Sequence, residues 1–255
     1  MSLPASPAKI QLRQVHKAFG PKVVLKGVDL EIREGESLVI IGGSGTGKSV
    51  LLKHIIGLLR PDRGSVIIDG TDLSTLDYRE ITGFRRRFGM AFQEGALFDS
   101  MTVAENIAFP LQRARRFQRP EIRERVRECL GLVRLEGAEG KMPSELSGGM
   151  RRRVGFARAI ALEPAILLFD EPTSGLDPVM TALIDDVILD LQRDLESTTV
   201  TITHDMTSAF RIADRIAMLH RGEIIAIGTP EELRANTDPR LLQFLEGRAE
   251  GPLSE

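Results

Sequence analysis

Apolar residues along this chain fall into three successive rhythms. In the first third they alternate in part: Ile10 and Leu12 within residues 9–15, Val24, Val28 and Leu30 within residues 23–32, and SVIID at residues 65–69, closed by Gly70. That rhythm predicts strands with one covered face, gathered into a small antiparallel sheet. Residues 37–41 (SLVII) differ: they are apolar without a break, as a strand covered on both faces should be. A helix is expected at once, with Leu51, Leu52, Ile55 and Ile56 on one face and Ser49 and Lys53 off it.

From about residue 94 to 162 strand spacing gives way to 3- and 4-residue steps over residues 103–111, 121–133 and 147–162, which predicts an inserted helical lobe. Strand signals return at residues 165–169 (AILLF), 199–203 (TVTIT), 216–219 and 223–227, all read as parallel. Between the first two lies the clearest helix of the chain, with Asp177 as N-cap, Pro178 in the first turn, and Met180, Leu183, Ile184, Val187, Ile188 and Leu191 on one face. The tail predicts one more helix: Asp238 as N-cap, Pro239 in the first turn, Leu241, Leu242, Phe244 and Leu245 apolar, and Gly247 as a stop.

Composition adds bounds. At 255 residues and 42% apolar content the chain can build one large domain, or a domain with an inserted lobe, without covalent staples. The single Cys129 fits a reducing compartment, and its surroundings (ERVRECLGL) have no metal-ligand spacing, so it reads as an inert thiol on a helix. The opening residues, MSLPASPAK, lack the apolar core of a signal peptide, and no run approaches the roughly 20 residues of a membrane span. A soluble chain able to dock on a membrane protein is expected. Arg85-Arg86-Arg87 and Arg151-Arg152-Arg153 could suggest nucleic acid, but the net charge is -2, no aromatics interleave and Trp is absent. They read as solvated or ion-paired helix faces, with no nucleic-acid partner.

The candidate chemistry begins at Gly42-Gly43-Ser44-Gly45-Thr46-Gly47-Lys48-Ser49, a G-x-x-x-x-G-K-S string set between the unbroken strand and the helix. Glycines there let backbone N–H groups close around phosphates; Lys48 brings a point charge, Ser49 a hydroxyl for magnesium, and the helix N-terminus its dipole. Asp170-Glu171 follows the strand AILLF directly. A carboxylate at the C-terminal end of a parallel strand opens into the crevice used by such loops, so Asp170 is placed to hold magnesium and Glu171 to orient and deprotonate a water.

Leu146-Ser147-Gly148-Gly149-Met150, at the start of a predicted helix, resembles the signature of ATP-binding cassette (ABC) proteins, and the rest of that family's set stands in its order. Phe19 lies where the family stacks an aromatic on adenine; Gln93, after GMAF, resembles its Q-loop. Ser174-Gly175-Leu176-Asp177 resembles its D-loop, and His204, after TVTIT, its switch histidine. The resemblance covers about Lys9 to Gln243 and implies an α/β fold, the P-loop NTPase fold of an ABC nucleotide-binding domain, with an antiparallel β subdomain and an inserted helical subdomain. A single ATPase domain is implied over residues 8–245, its core and β subdomain at about 8–93 and 163–235, its helical subdomain at about 94–162, and a tail at 236–255.

The same resemblance implies ATP hydrolysis coupled to transport, with ATP and Mg2+ as cofactors. Glu171, His204 and Gln93 would be catalytic; Ser49, Gln93 and Asp170 would surround the metal. Ser147, Gly148 and Gly149 form a second anion site at a helix N-terminus. In the family it closes on the ATP of the partner subunit, so a head-to-tail homodimer with two ATP is implied, bound to an integral membrane permease on the cytoplasmic face of the inner membrane. Met150 departs from the usual Gln of the signature, outside its phosphate-contacting part.

Residues 92–111 (FQEGALFDSMTVAENIAFPL), the ending SELSGGM and the tail DPRLLQFLEGRAEGP look most like the ATPase of Mla- or Mce-type bacterial phospholipid transporters, with a lipid-binding subunit as a further partner. Phe92, Leu97, Phe98, Met101 and Val103 cluster where the family offers a groove to its permease. Two other readings remain at this point: the ATPase of a small-solute importer, such as one for amino acids, and a soluble ABC ATPase acting on DNA or ribosomes. Only about 100 residues separate Gly47 from Ser147, without heptads, and there is one cassette, which disfavours the second.

Overall fold

The computed structural model describes residues 8–93 and 95–253. The N-terminal reading at residues 1–7, Glu94 at the start of the expected helical lobe, and the last two residues of the tail lie outside them. The chain divides into two compact units, residues 1–85 with 202–255, and residues 86–201.

The first unit opens with a hairpin of β1 (Ala8–Phe19) and β2 (Lys22–Arg33), followed by β3 (Ser37–Ile41) and α1 (Lys48–Ile55). Then come β4 (Arg63–Ile68), β5 (Thr71–Asp72) and α2 (Tyr78–Phe84). The expected antiparallel sheet is present, in the order β2-β1-β4-β5. Its strands are longer than the sequence suggests, because bulges between Leu12 and His16 carry pairing past the break in alternation. Every residue of β3 is buried, as its unbroken apolar run requires. Leu51, Leu52 and Ile55 of α1 are fully buried. Truncation of any of these to Ala costs about 2–5 kcal/mol.

The second unit contains β6 (Phe88–Ala91), α3 (Val103–Ala114), α4 (Arg119–Leu132), α5 (Gly148–Ile160), β7 (Ile166–Asp170), α6 (Pro178–Leu195) and β8 (Thr198–Ile202). The strand order is β8-β7-β6, with β6 and β7 parallel. Phe156 of α5 meets Phe169 of β7 edge to face, with ring centroids 5.0 Å apart. Helices α4 and α5 cap one another: Arg125 of α4 donates to the carbonyls of Ile160 and Ala161, and Arg153 of α5 to those of Val133 and Arg134. Cys129 is buried in α4 and its thiol is pushed up to about 11 by burial, so it stays protonated and unreactive.

The chain then returns to the first unit through α7 (Met206–Ile212), β9 (Arg215–His220), β10 (Glu223–Gly228), α8 (Pro230–Ala235) and α9 (Pro239–Glu246). Strand β9 runs parallel to β3, Ile40 opposite Ala217. The expectation of a parallel strand at residues 223–227 is corrected: β10 is antiparallel to β9. Arg221 and Gly222 both have positive φ, 47° and 87°, which makes a two-residue hairpin turn and leaves no length for a crossover. Helix α9 has the expected caps, Asp238 and Gly247; the Arg240 guanidinium beside Asp238 holds that carboxyl down at about 2.

Candidate functional site

In the first unit the Gly-rich loop spans the gap between β3 and α1. Gly42 takes φ +151° and packs so tightly that a Cβ would stand 2.3 Å from the Leu219 carbonyl oxygen of β9. Thr46 Oγ1 donates to Gly43 O (2.9 Å), and the Lys48 ammonium donates to Gly42 O and Gly43 O at 2.8 and 3.0 Å. Lys48 is only 8% exposed, so its charge sits inside the loop it tightens. A Cβ on Gly47, which has φ +107°, would touch Val24 of β2 at 3.0 Å, which sets the β1–β2 hairpin against the loop. Phe19, 46% exposed, lies at the turn of that hairpin. Thr203 N donates to Ile40 O (3.2 Å), so His204, exposed before α7, emerges at the end of β3 from which the loop leaves.

The close approach at Gly42 yields a sharp expectation. Gly42→Ala should destabilise the protein by about 1–3 kcal/mol through overpacking, read as a Tm lower by several degrees. Gly43→Ala, whose Cβ meets only Thr46 Cγ2 at 3.8 Å, should melt near the parent. Equal melting of the two variants would contradict the packing described.

The second unit brings Gln93, Asp170, Glu171 and Ser174 to one end of its strands. Ala91 pairs with Phe169, so the residues after β6 and β7 emerge side by side, and Gln93 Nε2 donates to Ser174 Oγ at 3.3 Å. Glu171 takes φ 50°, a left-handed backbone conformation costly for any residue but Gly. Asp177 accepts from the N–H groups of Val179 and Met180, each at 3.0 Å, and is thereby the N-cap of α6. Ser147 accepts from Met150 N (3.3 Å) as the N-cap of α5, and a Cβ on Gly148 would meet nothing within 4 Å. A cleft of about 530 Å³ is lined by Ala96, Leu97, Gly148, Arg152, Gly175 and Leu176, among others, so three of the sequence motifs border one space.

The family profile for ABC transporters matches residues 25–174, more than half of the chain. The chain belongs to the ABC transporter family. It is 46% identical to the probable ribonucleotide transport ATP-binding protein mkl of Mycobacterium leprae (strain TN), over 96% of this chain and 70% of that protein. It is 39% identical to the intermembrane phospholipid transport system ATP-binding protein MlaF of Haemophilus influenzae (strain ATCC 51907 / DSM 11121 / KW20 / Rd), over 96% of this chain and 92% of MlaF. Among solved structures, the dimeric post-hydrolysis state of the ATP-binding cassette MJ0796 bound to ADP and Pi matches with a TM-score of 0.79 and 36% identity, covering 87% of this chain and 98% of that one. The protein is thus an ATP-binding ABC ATPase of the cassette fold. No helix among the described residues is long and apolar enough to cross a membrane.

The arginine runs correct the sequence reading. Arg151 is exposed as expected, but Arg152 and Arg153 are each only 9% exposed and donate to backbone carbonyls of neighbouring elements. Arg85, half-buried, donates to Gly57 O at 2.7 Å. These are structural hydrogen-bond donors, and a triplet of arginines gives no local sign of which members turn inward. The aromatic cluster after Gln93 divides: Val103 is buried, while Phe92 and Phe98 stay 43% and 42% exposed. Phe98 packs against Phe109 with ring centroids 4.8 Å apart and planes tilted by 49°, so part of its surface is already covered.

Proposed function

We propose that this ABC ATPase powers phospholipid movement between bacterial membranes, as a homodimer bound to an integral membrane permease and working with a lipid-binding subunit. It would sit peripherally on the cytoplasmic face of the inner membrane. The observation that carries the lipid cargo is the near end-to-end match to MlaF, 96% of this chain against 92% of that protein. The lipid-transporter likeness of residues 92–111 and of the tail supports it.

In this reading Gly42 to Ser49 cradle the phosphates of ATP, Lys48 neutralises the outer ones, and Phe19 stacks on adenine. Ser49, Gln93 and Asp170 offer hydroxyl, amide and carboxylate oxygens, the hard donor set that suits Mg2+ beside phosphate oxygens. Bound there, the metal supplies charge neutralisation across the outer phosphates. Glu171 accepts the proton of a water attacking the gamma-phosphorus, the bond to the bridging oxygen breaks, and ADP and phosphate leave. His204 and Gln93 respond to the gamma-phosphate, and Ser147, Gly148, Gly149 and Asp177 meet the nucleotide of the partner subunit. Loss of the gamma-phosphate removes the charge that joins the halves.

The ribonucleotide transport name carried by relatives at 46% identity favours a second reading, the same engine beneath a small-solute permease. Reconstitution decides between them. The chain, co-purified with its permease in proteoliposomes, is expected to drive ATP-dependent transfer of fluorescent phospholipid to acceptor vesicles. ATP-dependent uptake of a nucleoside or amino acid without lipid transfer would contradict the lipid cargo.

A further inference from the structure

The turn after β6 presents its carbonyl groups to the signature helix α5. Arg152 Nε donates to Gln93 O at 2.9 Å, and Arg158 donates to Gly95 O and Ala96 O, each at 2.8 Å. Between them a Cβ on Gly155 would lie 2.9 Å from Gly95 Cα, and one on Gly95 would lie 2.7 Å from the Arg151 carbonyl oxygen. Residues 152, 155 and 158 stand at three-residue steps, on one face of the helix. Turn and helix therefore interlock backbone to backbone, with two desolvated guanidinium groups closing the seam. Burial lowers the pKa of Arg158, the expected sign for a cation taken from water, but it remains charged.

Arg152 does more than Arg158. Its Nη2 also donates to the carbonyl oxygen of Ser174, so a single planar group bonds the turn after β6 and the loop after β7 together. Gln93 Nε2 to Ser174 Oγ adds a weaker link between the same two segments.

We propose that Arg152 is a positioning residue that couples the two nucleotide sites of the dimer, by making the Gln93 turn, the signature helix and the Ser174–Asp177 loop move as one body. The proposal rests on the homodimer reading above: Gln93 serves the subunit's own ATP, whereas Ser147 to Gly149 and Asp177 meet the partner's. A displacement of Gln93 when the gamma-phosphate is lost then reaches, through one guanidinium, both segments that hold the other nucleotide. Arg158 grips the same turn without touching Ser174, which makes it the natural control.

The test uses the full chain and the variants Arg152→Ala, Arg152→Lys and Arg158→Ala. ATP hydrolysis is followed against ATP concentration, ATP affinity with a fluorescent analogue, and hydrogen exchange in the peptide covering residues 171–178. For Arg152→Ala the Hill coefficient should fall from above 1 to about 1 and kcat should drop, with ATP affinity within about twofold of the parent. Exchange over residues 171–178 should be about tenfold faster or more. Arg152→Lys, a point charge that reaches one acceptor at a time, should recover part of both losses. Arg158→Ala should loosen residues 95–96 and keep the parent's cooperativity. Parental cooperativity and exchange in Arg152→Ala, or equal loss of cooperativity in Arg158→Ala, would overturn the proposal. A parent that is itself non-cooperative would contradict the two-site dimer, and exchange over residues 171–178 would then decide the positioning role separately.

Discussion

Glu171→Gln is expected to lower ATP turnover by about 10²- to 10⁴-fold, the range supplied by a positioned general base, while ATP binding persists. The substitution keeps shape and removes only the proton acceptor, so the water is still held but not activated. Because the gamma-phosphate is then retained, the variant should accumulate as a nucleotide-bound dimer, visible by size-exclusion chromatography with ATP. Its position makes the effect specific: Glu171 follows Asp170 at the end of β7, beside the turn of Gln93, and its backbone is held at φ 50°. Hydrolysis near the parental rate would remove Glu171 from the role assigned to it.

Lys48→Ala acts one step earlier. The ammonium is buried to 8% exposure and donates to two loop carbonyls, so its loss removes the clasp of the loop and, in the proposed role, a phosphate contact. A charge-assisted hydrogen bond contributes about 1.5–3 kcal/mol, hence ATP affinity should fall by about 10- to 150-fold. Turnover then falls with binding at ordinary ATP concentrations, whereas in Glu171→Gln it falls with binding intact. A melting curve near that of the parent separates lost affinity from lost fold. Unchanged ATP affinity would contradict the phosphate contact.

What the sequence revealed, and what it concealed, follows from the range of the interactions involved. Strand β3 and α1 were legible because a strand covered on both faces leaves an unbroken apolar run, and a helix against it leaves a 3.6-residue stripe. Helices α2 and α8 are only seven and six residues long and were not expected, although Asp77 with Glu80 and Thr229 with Glu232 form capping boxes at their starts. Periodicity carries no strand direction, so β10 was read as parallel; the signal lay in the Arg221-Gly222 turn. Among the site candidates, local strings placed the loop at Gly42 and the carboxylates after β7. The role of Arg152 was invisible because its acceptors, Gln93 O and Ser174 O, lie 59 and 22 residues away and are backbone atoms that no motif encodes. The helix start at Ser147 was legible, whereas its cap on Met150 N and the steric contact that a Cβ on Gly149 would make with Met180 at 2.3 Å were not.

The central claim is that this ATPase works beneath a permease that moves phospholipid. Its most direct test is a mild-detergent pull-down of the tagged chain from its own cells, with mass spectrometry of the proteins and lipids that come with it. The account predicts an integral membrane permease, a membrane-anchored substrate-binding subunit and bound phospholipid. A permease with a soluble solute-binding partner and no phospholipid, or ribosomes or DNA with no membrane protein, would contradict it.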